Sequence, residues 1–112
     1  MSRSVETAPT FERDLKRLGK RYFHIRHDLE PLIAQLIAGE TPGDRVSGLM
    51  TVVYKVRIAN TDARKGKSGG YRVIYYLPSD EVNILLTIYS KNDQADIPLS
   101  EIVHILKTEL DG

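Results

Sequence analysis

Residues 71–77, Tyr-Arg-Val-Ile-Tyr-Tyr-Leu, are apolar or aromatic at every position but Arg72. So short a β-branched and aromatic run, led in by Gly69-Gly70 and stopped by Pro78, predicts a strand. Being apolar on both faces, it must be covered on both faces, which makes it a central strand. The flanking segments supply its neighbours. In Val52 to Ile58, alternation puts Val52, Tyr54, Val56 and Ile58 on one face and Val53, Lys55 and Arg57 on the other. After a turn at Pro78 to Glu81, the run Val82 to Ser90 sets Val82, Ile84, Leu86 and Ile88 against Leu85, Thr87 and Tyr89. Strands joined by turns this short run antiparallel.

Helical spacing supplies the cover. Ser4 to Thr7 predicts a short first strand, after which Phe11, Leu15, Leu18 and Tyr22 recur on one helical face, with Lys16, Arg17, Lys20 and Arg21 opposite. Asp28 reads as the N-cap of a second helix with the stripe Leu29, Leu32, Ile33, Leu36 and Ile37, Pro31 in its first turn and Gly39 at its end. Glu40 to Gly48 reads as a loop. Pro98 opens a third helix through Ile102, Val103, Ile105, Leu106 and Leu110, with Asp96 placed to cap it. The expected fold is α+β: an N-terminal helical hairpin packed on a small, twisted, mainly antiparallel sheet, with a C-terminal helix and all helices on one side. At 112 residues, 1–112 is expected to form one domain with a core large enough to need neither disulfide nor metal.

Composition narrows the chemistry. The absence of cysteine removes thiolate catalysis, cysteine-bound zinc and disulfides. His24, His27 and His104 stand at no metal-like spacing with a carboxylate, so no metal or other cofactor is expected. No secretory h-region follows Met1 and no window approaches a membrane span, so a cytoplasmic protein is expected. Charge is the stronger signal. The net formal charge is only +1, yet residues 52–76 hold six basic side chains (Lys55, Arg57, Arg64, Lys65, Lys67 and Arg72) against Asp62, while residues 77–112 hold seven acids against two lysines. A concentrated basic hairpin favours a polyanion, since each phosphate neutralised releases a counterion.

Other readings stand beside that one. Lys55 and Arg57 also fit the solvent face of a half-buried strand. Arg72, inside an apolar strand, needs a partner, for which a structural carboxylate or a substrate phosphate would serve. Gly66-Lys67-Ser68 ends like a P-loop, but the required first glycine falls at Thr61 and the motif leads into a strand, not a helix. The loop is better read as a flexible basic flap or a plain hairpin connection.

Tyr54-Lys55-Val56-Arg57-Ile58, Gly70-Tyr71-Arg72-Val73-Ile74-Tyr75-Tyr76 and Leu85-Leu86-Thr87-Ile88-Tyr89-Ser90-Lys91-Asn92, in that order, resemble the RelE/ParE superfamily of toxins from type II toxin–antitoxin modules, and most nearly its HigB-like RelE branch. The resemblance implies a metal-independent endoribonuclease, an mRNA interferase acting in many cases on the ribosome, that is held by a cognate antitoxin. Such a reaction uses the RNA 2′-hydroxyl as nucleophile. It needs a proton acceptor, cations for the phosphorane charge and a donor for the leaving 5′-oxygen. By position in the motifs, Lys55, Arg57, Arg72 and Lys91 match the family's catalytic or phosphate-contacting residues; Lys65, Lys67, Tyr89 and Asn92 are placed to bind substrate, Tyr89 by stacking on a base. Asn92 and Pro98 depart from the arginine and tyrosine of other RelE members, which leaves Lys91, Tyr89, Asp93 and Asp96 as candidates for the leaving-group acid. The alternatives are a ParE-like gyrase inhibitor without nuclease activity and a degenerate RelE-fold RNA-binding or regulatory protein.

Overall fold

The computed structural model describes residues 2–110. In chain order its elements are β1 (Ser4–Thr7), α1 (Pro9–Gly19), α2 (Ile25–Ile37), β2 (Asp44–Arg45), β3 (Val53–Ile58), a 3-10 turn at Lys67–Gly69, β4 (Tyr71–Tyr76), β5 (Val82–Ser90) and α3 (Leu99–Ile105), which widens into a π turn at Leu106–Leu110. This is the expected α+β architecture. The sheet order is β1-β5-β4-β3-β2, antiparallel throughout except that β1 lies parallel to β5, with Ser4 opposite Val82. Among the described residues no helix is long and apolar enough to cross a membrane.

The doubly apolar β4 is indeed central, and each of its faces feeds its own core. Tyr71, Val73 and Tyr75 pack with Phe11, Leu15 and Leu18 of α1 and with Leu29, Leu32 and Leu36 of α2. On the reverse face, Ile74 packs with Val53, Leu86, Ile102 and Ile105. The expectation that all helices lie on one side is therefore corrected: α3 covers the face opposite α1 and α2, because Ile74 and Leu86 would otherwise meet water.

Three local expectations also change. The Glu40–Gly48 loop contains β2, whose Asp44 and Arg45 pair with Lys55 and Tyr54; two residues are too few to show alternation. Gly43 leads into this strand at φ +94, and a Cβ there would lie 2.3 Å from the Lys55 carbonyl oxygen, so only glycine lets the chain approach β3. Helix α2 starts at Ile25, one turn earlier than expected, so Asp28 is not its cap and Pro31 lies within the helix. Asp28 is instead buried, accepting hydrogen bonds from Thr61 N (3.0 Å) and Thr61 Oγ1 (2.8 Å). The N-terminal end of α2 is met from outside by Asp62, which accepts from His24 N at 2.7 Å.

The third change moves Tyr89, a candidate site residue. Ile74 pairs with Thr87 but Tyr75 pairs with Leu85, so Leu86 is an extra residue in β5. A bulge interrupts the period of two. Ile88 joins Leu85 beneath α1 and α2, and Tyr89 joins Leu86 on the α3 face. That reverses the expected partition of Ile88 and Tyr89.

Candidate nucleic-acid interface

Lys55 and Arg57 share the face of Val53, and Arg72 shares that of Ile74, so strand parity and the bulge bring Lys55, Arg57, Arg72 and Tyr89 to one side of the sheet. Arg72 stands directly opposite Arg57 on β3 and Tyr89 on β5, which makes a row Arg57–Arg72–Tyr89 across three strands. Adjacent strands lie about 4.8 Å apart. Two arginines facing each other across a strand pair repel, and their side chains part company.

The Arg57 side chain is exposed and has no hydrogen-bond or ion-pair partner among the described residues. Arg72 is only 5% exposed, and its guanidinium donates to the carbonyl oxygens of Lys67 (3.0 Å), Ser68 (2.8 Å) and Tyr71 (3.2 Å). The partner a buried arginine requires is thus neither a carboxylate nor open space for a phosphate, but the backbone of the basic loop. Lys65 exchanges backbone hydrogen bonds with Asn60 at 2.8 and 2.9 Å, so the loop is pinned at both ends, with the side chains of Lys65 and Lys67 exposed. Gly70 completes the junction: a Cβ there would lie 2.1 Å from the Ile58 carbonyl oxygen.

Lys55 has a partner that the sequence did not reveal. Its Nζ donates to Asp96 Oδ1 at 2.8 Å, and the same oxygen accepts from Ile97 N at 2.8 Å and from the Tyr89 hydroxyl at 3.3 Å. Asp96 therefore does not cap α3, which begins after Pro98 with no side-chain cap. Its carboxyl is held below the ordinary carboxylate range, first by the Lys55 hydrogen bond and then by the Ile97 N–H. It is an anion at neutral pH and no candidate for the leaving-group acid. Asp93 is no better placed, since both its oxygens lie 3.2 Å from Arg21 NH1. Burial, then the Asp96 charge, push the Tyr89 phenol up to about 12, so it keeps its proton throughout the neutral range. Tyr89 and Lys91 remain as donors.

Lys91 lies just beyond β5, its N–H bonded to the Gly70 carbonyl oxygen at 2.9 Å and its side chain exposed without a partner among the described residues. Asn92 is exposed beside it. Along the outer edge of β3 runs a groove of about 620 Å3, lined by His27 and Gln35 of α2, by Pro42, Gly43 and Asp44, by residues 55–59, and by Thr61 and Lys67. It brings together Lys55, Arg57 and Lys67; Arg72, Tyr89, Lys91 and Asn92 do not line it. No three His, Asp or Glu side chains among the described residues are grouped so as to hold a metal ion.

No protein-family model matches the chain. Among solved structures, a doubly substituted variant of the E. coli toxin RelE in its free state is similar with a TM-score of 0.56 at 18% identity, over 85% of this chain and 90% of that one. The chain has a RelE-like fold. At that identity the likeness is one of architecture, two helices on one face of the sheet and a basic strand pair on the other being features of this chain's own geometry.

Proposed function

We propose that the protein is the toxin of a type II toxin–antitoxin module of the HigB-like RelE branch, a metal-independent endoribonuclease that cuts mRNA on the ribosome. The observation that carries this reading is the gathering of Lys55 and Arg57 on one face of β3, two residues apart, with Lys67 lining the same groove. Cations gathered along one groove attract a polyanion, and a phosphate backbone laid along it meets Lys55, Arg57 and Lys67 together. Arg57, with no partner of its own, and Lys55, on an exchangeable surface contact, face the scissile phosphate. The RNA 2′-hydroxyl gives up its proton to water as its oxygen attacks phosphorus, the bond from phosphorus to the 5′-oxygen breaks, and the products are a 2′,3′-cyclic phosphate and a 5′-hydroxyl. The cations stabilise the negative charge that builds on the non-bridging oxygens, and Lys91 or the Tyr89 hydroxyl protonates the departing oxygen. Arg72 acts at one remove by holding the loop that presents Lys65 and Lys67 to the RNA backbone. Tyr89, part of whose ring lies beneath α3, serves as the floor of the site.

The partner that silences the protein is an antitoxin whose acidic segment covers this face. To test the function, wild type and a Lys55→Ala/Arg57→Ala variant are expressed from a tight promoter and mRNA 5′ ends are mapped by primer extension. Neither side chain is buried or part of a core, so the variant keeps its fold, which an Arg72 variant would not guarantee. New ends within translated frames for wild type alone support the proposal. Growth arrest without new ends would replace it with the gyrase-inhibitor account, and a folded protein with neither effect would leave an RNA-binding or regulatory role.

A further inference from the structure

Three donors converge on a single oxygen in this protein. Lys55 Nζ, Ile97 N and the Tyr89 hydroxyl all point at Asp96 Oδ1, at 2.8, 2.8 and 3.3 Å. None of the three is an acceptor in this arrangement: the ammonium and the amide have only hydrogens to offer, and the phenol keeps its proton. Such a cluster suits an oxyanion. The oxyanion it holds here is tethered to the chain itself, on the connector between β5 and α3.

The tether is loose where it needs to be. The Asp96 side chain is 64% exposed and that of Lys55 35%, so the pair sits at the surface, where ion pairs exchange readily with water and salt. Ile97 is buried in the α3-side core and anchors the connector independently of its neighbour's carboxylate. Gln94 Nε2 donates to the Asp96 carbonyl oxygen at 3.0 Å, which fixes the backbone but not the side chain. Rotation of the Asp96 side chain alone vacates the seat and leaves the three donors in place.

We propose that the cluster of Lys55 Nζ, Tyr89 OH and Ile97 N is a seat for a phosphate oxygen, and that Asp96 is its resident competitor, a specificity-determining residue that an RNA must displace. An isolated anion gains too little to displace the carboxylate. A nucleic-acid backbone that engages Arg57 and Lys91 at the same time recovers the loss through its other phosphates, so Asp96 favours long polyanions over small ones. The proposal rests on the reading of this face as the RNA-binding one, and extends it to a residue that the sequence motifs do not include.

The test compares wild type with Asp96→Asn and Asp93→Asn, two variants with the same change in net charge. Asp93 is bound to Arg21 and does not touch the seat. The probe is a fluorescein-labelled single-stranded RNA carrying 2′-O-methyl groups throughout, which cannot be cut, read by fluorescence polarisation. Asp96→Asn is expected to bind roughly three- to tenfold more tightly than wild type, and Asp93→Asn less than about twofold. Equal gains for the two variants would reduce the effect to net charge and overturn the proposal, as would unchanged or weaker binding by Asp96→Asn. A second readout does not depend on RNA. In an amide-resolved NMR titration with inorganic phosphate, the Ile97 amide of Asp96→Asn should shift at lower phosphate than in wild type. A silent Ile97 amide would overturn the seat; a shifting amide in a protein that binds no RNA would uphold the seat and remove the ribonuclease reading instead.

Discussion

Replacing Arg72 with Met keeps most of the aliphatic stem and removes three hydrogen bonds to the carbonyl oxygens of Lys67, Ser68 and Tyr71. A hydrogen bond from a charged donor contributes roughly 1.5–3 kcal/mol when its partner has no alternative. Only the Tyr71 bond is fully buried; the Lys67 and Ser68 carbonyls are part-buried and regain water once the guanidinium is gone. Relief of the Arg57 repulsion offsets a few tenths of a kcal/mol. The expected loss is therefore about 2–3 kcal/mol. With an unfolding entropy of about 2.1 cal/mol/K per residue, such a loss in a chain of this length lowers Tm by roughly 9–13 °C. Circular dichroism melts of Arg72→Met, Arg72→Lys and Arg57→Met measure it. Arg72→Lys should fall between wild type and Arg72→Met, because one ammonium cannot reproduce the fork. Arg57→Met, altering an exposed side chain, should stay within about 2 °C of wild type. If Arg72→Met also melts within about 2 °C, the guanidinium is not what pins the loop, and Arg72 returns to the set of direct phosphate contacts.

Asp28→Ala takes the acceptor from Thr61 N and Oγ1 and should cost about 1–3 kcal/mol in denaturant unfolding, with little change in m. The side-chain hydrogen bond to Asp62 raises the pKa of His24 above its ordinary value, and the same contact lowers that of Asp62. His24 should therefore lose its proton above pH ~6.5 in an NMR titration and return to that value in Asp62→Asn. Its contribution to stability is complete below the unfolded histidine value and lost as pH rises through the folded one; that of Asp62 is lost as pH falls below the carboxylate range. At the alkaline end, Tyr71, Tyr75 and Tyr89 are all raised, chiefly by burial. Because the unfolded chain gives up these protons near pH 10 while the native state holds them, stability should fall steadily with pH above ~10, followed by tyrosinate absorbance against the denaturation midpoint.

The parts of the fold that were legible in the sequence are those where a periodic pattern ran long enough to repeat. β4 announced its central place through seven nearly unbroken apolar positions, and α1 through Phe11, Leu15 and Leu18. What failed to show was whatever depends on one residue meeting another far along the chain. Asp28 and Asp96 each sit where a capping aspartate belongs, yet each carboxylate is held by a distant group: Asp28 by Thr61, Asp96 by Lys55 and Tyr89. Local spacing cannot distinguish a cap from a long-range acceptor, because the same short side chain serves both. The bulge at Leu86 was equally silent, since no glycine marks it. Alternation did place Lys55 and Arg57 on one face, and it was the bulge that added Tyr89 to it.

The pairing of Ser4 with Val82 has a kinetic meaning. The first strand of the sheet has as its neighbour the last, and closing a loop of that length costs roughly 4 kcal/mol of chain entropy before any contact is made. Asn83 secures the closure, its Nδ2 donating to the carbonyl oxygens of both Ser4 and Leu36. During synthesis, therefore, β1 has no partner in the sheet until β5 emerges, and α1 and α2 have only β3 and β4 to rest on before then. The cationic face spans β3, β4 and β5, so it is completed only in that same late step, and a chain still short of β5 carries Lys55, Arg57 and Arg72 without Tyr89 or Lys91.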